Sequence, residues 1–166
     1  ANSYRPMIQS AYQRGDNGLI RRAAGKGAVV YLAIYVAGYL GVLVVVYPLL
    51  AVFKPGSSFS PLVYSGVSMY LLLYNWHSLF ASMLCNMNKI PYTGAYIVTS
   101  ACGLVLSVAL IETAGLGVWG LVLGLALPQL AYNNWKWPQA AAREMGTTVP
   151  AILWLGAESL LCRKGK

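Results

Sequence analysis

The sequence predicts an all-α integral membrane protein: four transmembrane helices in an antiparallel bundle, followed by a short interfacial helix at the C-terminal end. Three observations predict it. Apolar residues make up 58% of the 166 and charged residues 10%. Soluble domains carry about 25% charged residues, so most of this chain has no aqueous face to cover. Four apolar runs, at about residues 28–53, 61–87, 92–111 and 116–132, have the length that crosses a bilayer. Of the twelve basic residues, eleven gather on one side of those runs.

That distribution also narrows the function classes. The net charge of +8 is divided between hydrophobic runs and forms no continuous patch, so the basic residues read as topology signals and no nucleic-acid partner is expected. Cys85, Cys102 and Cys162 are odd in number and lack metal-ligand spacing. Neither a disulfide framework, a metal site nor a cofactor is expected.

Residues 1–27 read as a polar, basic arm on the cytoplasmic side. The chain begins at Ala1, and its first apolar run lies too far along to be the core of a signal peptide. A trimmed chain, or a piece of a larger one, is expected. Residues 6–12 suit the end of an earlier helix. Gly15, Asp16, Asn17 and Gly18 supply turn residues, and Asp16 or Asn17 can cap a helix starting near Leu19. Arg21, Arg22 and Lys26 then lead into the first span, 26 residues without a charge. At about 1.5 Å of rise per residue this helix exceeds the roughly 30 Å hydrocarbon core.

The spans occupy residues 28–137. Lys54, Pro55, Gly56, Ser57 and Ser58 form a loop before span two; residues 88–91 turn the chain into span three, and residues 112–115 turn it into span four. Connections this short favour antiparallel neighbours. Arg5, Arg14, Arg21, Arg22 and Lys26 precede span one, Lys89 joins spans two and three, and Lys136, Arg143, Arg163, Lys164 and Lys166 follow span four. Lys54 alone is on the other side, so the positive-inside rule places both termini in the cytoplasm. Tyr132, Trp135 and Trp137 beside Lys136 make an aromatic and basic anchor where span four leaves the membrane.

In the tail, residues 138–166, Pro138 can start a helix that Gly146 breaks. Residues 150–162 are apolar but too short to cross. Trp154, Leu155 and Leu161 suit a helix lying in the interface, with an ordinary frayed terminus as the alternative.

Span two carries the most informative pattern. At about 100° per residue, Ser68, Asn75, Ser78, Ser82, Asn86 and Lys89 fall within about 80° of arc on an otherwise apolar helix. Polar groups in lipid are costly unless they face protein or water. Two readings stand open: a cavity wall with Lys89 at its mouth attracting an anion, or interhelical hydrogen bonding at about 0.6 kcal/mol per bond. His77, the single histidine, lies about 200° from Asn75 and off this stripe. A neutral histidine bonded to a neighbouring helix is the expectation, and a proton relay the alternative. Glu112 with Thr113 ends span three in water; cation coupling is its other reading.

Small residues point to packing. Thr93, Ser100, Gly103 and Ser107 line span three, Gly120 and Gly124 form a GxxxG face on span four, and Ala33, Ala37 and Gly41 line span one. Gly115, Gly117 and Gly120 match the dinucleotide fingerprint in letters, but no βαβ unit surrounds them. Pro48 and Pro128 are expected to kink or end their helices. With no nucleophile beside a base, no carboxylate pair and no metal cluster, an enzyme is not expected.

Pro6, Ala11-Tyr12, Gly15-Asp16 and Ile20-Arg21-Arg22, then Asn88-Lys89-Ile90-Pro91-Tyr92, then Gly115-Leu116-Gly117-Val118-Trp119-Gly120 keep an order and spacing that carry a resemblance. Over residues 6–137 the chain resembles polysaccharide and lipopolysaccharide flippases, the Wzx-like branch of the multidrug/oligosaccharidyl-lipid/polysaccharide exporter superfamily, in their C-terminal part. The resemblance implies a partial lobe of a twelve-helix carrier whose remaining helices are not in this chain. It implies translocation of a lipid-linked oligosaccharide, the repeat unit of O-antigen, capsule or exopolysaccharide, across the bacterial inner membrane. Two lobes would rock about a central cavity, with Asn75, Ser78, Ser82 and Asn86 facing it and Lys89 meeting phosphate or sugar. A cation-coupled multidrug or metabolite antiporter of the same superfamily is the nearest alternative. A small membrane scaffold assembling through its Gly and Ala faces is the next, and a membrane enzyme using His77 the last.

Overall fold

Caps and turn residues set most of the helix boundaries. The computed structural model describes residues 5–162. Among them eight α-helices form and no strand: α1 (Arg5–Gln13), α2 (Asn17–Gly41), α3 (Tyr47–Phe53), α4 (Pro61–Asn86), α5 (Thr93–Glu112), α6 (Val118–Pro128), α7 (Asn134–Glu144) and α8 (Val149–Leu161). The Asp16 carboxylate accepts the Leu19 amide at 2.9 Å to open α2. Ser60 and Thr148 cap α4 and α8 in the same way, each one or two residues ahead of a proline in the first turn. Asn88 closes α4 in the left-handed region, φ 57°, with the Lys89 amide donating back to the Leu84 carbonyl at 3.0 Å. Gly146, φ 63°, closes α7 likewise, through Thr147 to the Ala142 carbonyl. The closing Arg163, Lys164 and Lys166 lie outside the described residues.

The helical path, expected to kink or end at Pro48 and Pro128, continues past both. A π-helical turn, Val42–Val46, joins α2 to α3 just before Pro48, and a second, Gln129–Asn133, joins α6 to α7 just after Pro128. Pro48 has no N–H to give and its ring crowds the Val44 carbonyl four residues back, so the wider turn ahead of it absorbs the defect and the helix runs on. The helix of the fourth apolar run therefore continues past Tyr132, and Pro138 lies inside α7 rather than starting it.

Among the described residues two helical stretches are long and apolar enough to cross a membrane: Asn17–Phe53, with 37 residues, and Thr93–Glu112, with 20. At about 1.5 Å per residue the first is nearly twice as long as the hydrocarbon core is thick, so its opening turns, with Arg21, Arg22 and Lys26, extend beyond it. α4 matches a span in length at 26 residues but mixes Ser, Tyr, Asn and His among its apolar side chains.

The core sits at one end of the molecule. Ile8 and Ala11 of α1, Ile20, Ala23 and Ala24 of α2, Phe80, Met83 and Leu84 of α4 with Met87 just beyond it, Trp137, Ala141 and Ala142 of α7 with the adjoining Met145, and Ile152 of α8 bury one another there. α8, expected to lie in the interface, is docked in this core. Gly25 and Gly156 cross so closely that a Cβ on Gly25 would stand 2.8 Å from the Gly156 amide nitrogen. Its outer face, Trp154 at 74% exposure and Leu161 at 76%, stays uncovered. Away from the core, α5 packs on α6 through small residues. A Cβ on Gly120 would meet Ile111 at 2.8 Å and one on Gly124 would meet the Ser107 Cα at 2.5 Å. The GxxxG face thus packs within the chain, against Gly103 and Ser107 but not against Thr93 or Ser100, which are exposed.

Candidate functional site

α4 presents two polar faces and a seam, each set by its neighbours. On the predicted stripe, Ser68 is buried beside Tyr35 of α2. Asn75 is exposed, and its amide donates to the Leu71 carbonyl at 2.8 Å. Ser82 donates to the Ser78 carbonyl at 2.8 Å, and both are half-buried. Asn86 lines an open cavity of about 410 Å³ with Cys85, Asn88 and, from α1, Gln9, Tyr12 and Gln13. The stripe is therefore covered at its Ser68 end and only partly covered from Asn75 to Asn86.

Lys89 is not the free cation the sequence suggested. Its ammonium donates to the Glu144 carboxylate at the end of α7, an exposed ion pair. That hydrogen bond raises the Lys89 pKa above its ordinary 10.5. Arg21 is also engaged: its Nε donates to the Met145 carbonyl at 2.6 Å and its Nη2 to the Gly146 carbonyl at 3.1 Å, satisfying carbonyls at the C-terminus of α7. Glu112 is exposed at the end of α5.

The opposite face of α4 holds His77, 1% exposed. Its Nδ1 lies 2.9 Å from the Leu73 carbonyl of its own helix rather than on a carbonyl of a neighbour. Tyr74 and Tyr96 stand edge-on to the ring at 5.4 and 5.2 Å. The Asn134 amide lies beside the imidazole without closing a well-formed hydrogen bond, and the Tyr96 hydroxyl is buried without a partner. Next to this group, Asn133 donates to Thr99 Oγ1 at 2.9 Å and to Gln129 Oε1 at 2.7 Å, and accepts from the Trp137 indole at 2.7 Å. Trp137 is thus a core residue, whereas Tyr132 and Trp135 are exposed as an interfacial anchor would be.

Sequence reasoning missed this amide cluster and a third feature, the tyrosines between α2 and α4. Tyr39 shares a 2.9 Å hydrogen bond with Ser65, and the Tyr31 hydroxyl reaches the Leu72 carbonyl at 3.5 Å. Both left a signal: the amides Gln129, Asn133 and Asn134 shortly after Pro128, and tyrosines every fourth residue in a run without charge. Among the described residues no three His, Cys, Asp or Glu side chains gather to hold a metal ion, and the three cysteines are exposed free thiols. Comparison of the chain with protein-family models, with curated proteins and with solved structures finds no match.

Proposed function

We propose that the chain is part of a membrane carrier that flips a lipid-linked oligosaccharide across a bacterial inner membrane by alternating access, with four crossing segments and both termini cytoplasmic. The observation that carries this reading is the partly covered half of the α4 stripe. Asn75, Ser78, Ser82 and Asn86 lie along a span-length helix, and no helix of the chain covers them fully. Polar side chains at that depth need water or further protein, and a central cavity shared with absent helices provides both. The first long helical stretch supports the same picture, since none of residues 29–53 is buried. The Lys89–Glu144 pair shifts the expected anion contact: a phosphate at the cavity mouth would compete with Glu144 for the ammonium. A cation-coupled antiporter of the same superfamily shares this architecture and would need an acidic group within a span.

The test is alanine replacement at Asn75, Ser78 and Ser82 in the carrier's own host, read as surface polysaccharide at matched protein level. Loss of export is expected. Full export from the triple variant would overturn the cavity assignment.

A second reading, a scaffold assembling through small-residue faces, draws on Ala33, Ala37 and Gly41, which the chain leaves unburied. Gly120 and Gly124 no longer serve it, being occupied by Ile111 and Ser107. A stable oligomer of one stoichiometry, dispersed by Ala37→Leu, would favour the scaffold.

A further inference from the structure

The uncovered side of α8 carries two adjoining cavities. One, about 210 Å³, is lined by Arg22 of α2 with Leu155, Glu158, Ser159 and, just beyond the helix, Cys162. The other, about 180 Å³, is lined by Trp154, Ala157 and Leu161 and shares Glu158 and Cys162 with the first. The crossing of α2 and α8 builds the shared wall. Gly25 and Gly156 bring the two backbones together, and Arg22 stands three residues before Gly25, on the same side of α2, where it reaches the flank of α8.

The first cavity holds opposite charges that do not meet. Arg22 and Glu158 line it together and both are exposed, yet they form no ion pair, and neither side chain has a hydrogen bond among the described residues. The Ser159 hydroxyl donates to the Gly156 carbonyl at 2.8 Å and keeps its lone pairs for a further donor. The second cavity is walled by the uncovered Trp154 and Leu161. Tryptophan suits the membrane–water boundary, where its ring meets hydrocarbon and its indole N–H a polar layer. Depth agrees: Arg22 stands six residues ahead of Ala28, where the first apolar run begins, which sets it at headgroup level when that run fills the hydrocarbon.

These features restrict the occupant. An anionic phospholipid answers Arg22 but sets like charge against Glu158. A cation answers Glu158 and is repelled by Arg22. A soluble zwitterion answers both and leaves the apolar cavity to water. A phospholipid whose head carries a phosphate and a primary ammonium answers all three. The guanidinium holds phosphate oxygens in a fork, the ammonium donates to the carboxylate, and an acyl chain covers Trp154 and Leu161.

We propose that the two cavities along α8 bind a zwitterionic amino phospholipid of the facing leaflet, its phosphate on Arg22, its ammonium on Glu158 and an acyl chain on Trp154 and Leu161. The site is separate from the α4 stripe and needs only that α8 meets a membrane surface, so its failure leaves the carrier reading to its own test.

The test uses the full chain in phosphatidylcholine nanodiscs to which one lipid with brominated acyl chains is added: phosphatidylethanolamine, phosphatidylglycerol or phosphatidylcholine. Bromine quenches an indole that it touches, and the difference from a Trp154→Phe variant isolates the Trp154 signal. Quenching should need about fivefold less phosphatidylethanolamine than either other lipid, because phosphatidylglycerol has no ammonium and the ammonium of phosphatidylcholine has no N–H to donate. Arg22→Gln should weaken the phosphatidylethanolamine response about fivefold. Glu158→Gln should erase its advantage over phosphatidylglycerol, since the ammonium loses its partner and the phosphate loses a like charge. Helical content is followed in both variants, and if one loses helix the other decides. Equal quenching by all three lipids in the unaltered chain would mean contact with bulk lipid only and overturns the site. A preference for phosphatidylglycerol overturns it too, as does a phosphatidylethanolamine preference that survives both substitutions. Absence of Trp154 quenching by any lipid would mean that protein covers this face, and the site falls with it.

Discussion

Single residues separate binding from structure most sharply at Lys89. Because its ammonium is held by Glu144, Lys89→Ala and Glu144→Ala have equal effects if the pair is only a surface contact. If Lys89 meets an anionic substrate, Lys89→Ala loses export while Glu144→Ala keeps it; paired export assays decide. The raised Lys89 pKa also sets a pH window. On the lysine side, the pair's contribution is present below the ordinary lysine value and is lost only as pH rises through the raised one, so near neutrality salt weakens it and pH does not. Asn133 is the buried counterpart, fully covered and bonded to Thr99, Gln129 and Trp137. Asn133→Ala strands the Trp137 indole N–H and should cost about 1–3 kcal/mol, measured as a lowered unfolding midpoint in detergent. His77 belongs with this cluster, and His77→Ala should lower stability without changing the pH dependence of export.

Between elements, glycine decides how close two helices come. At the crossing of α2 and α8 a Cβ on Gly25 would meet Gly156 backbone atoms at 2.8 and 2.9 Å, and backbone cannot swing aside. Gly156→Ala should destabilise by at least the about 1–3 kcal/mol of an overpacked core and free α8, read as faster proteolysis after Leu155. Gly27→Ala is the control: nothing lies within 4 Å of its added Cβ, so the change should be neutral or stabilising by up to about 1 kcal/mol. The GxxxG face and its α5 partners Gly103 and Ser107 were legible beforehand, though not the exposure of Thr93 and Ser100, because closely spaced small residues leave a groove whatever fills it. The docking of α8 was not. Its length and apolar content suit an interfacial helix equally well, and Gly25 stands in a basic segment that looks like a solvated arm.

For the whole molecule, orientation is the decisive measurement. In a background with Cys85, Cys102 and Cys162 replaced, since all three thiols are exposed, cysteines introduced at Arg22→Cys and Lys54→Cys should label from opposite faces of sealed vesicles. Labelling from one face would remove the first crossing and the carrier with it. By itself the sequence determined the all-helical class, two of the four membrane-length helices expected from it, a cap at Asp16 or Asn17 and the turns at Asn88 and Gly146. Each of these is written within a few neighbouring residues, as a hydrophobic run, a capping side chain or a left-handed turn. Only the tertiary structure decided that Lys89 meets Glu144, that Arg21 caps α7, that His77 lies among amides and tyrosines, and that three tyrosines face α4. In lipid an apolar face meets a helix or an acyl chain at nearly equal free energy, so hydropathy cannot say which face is covered; that follows from packing between residues far apart in the chain.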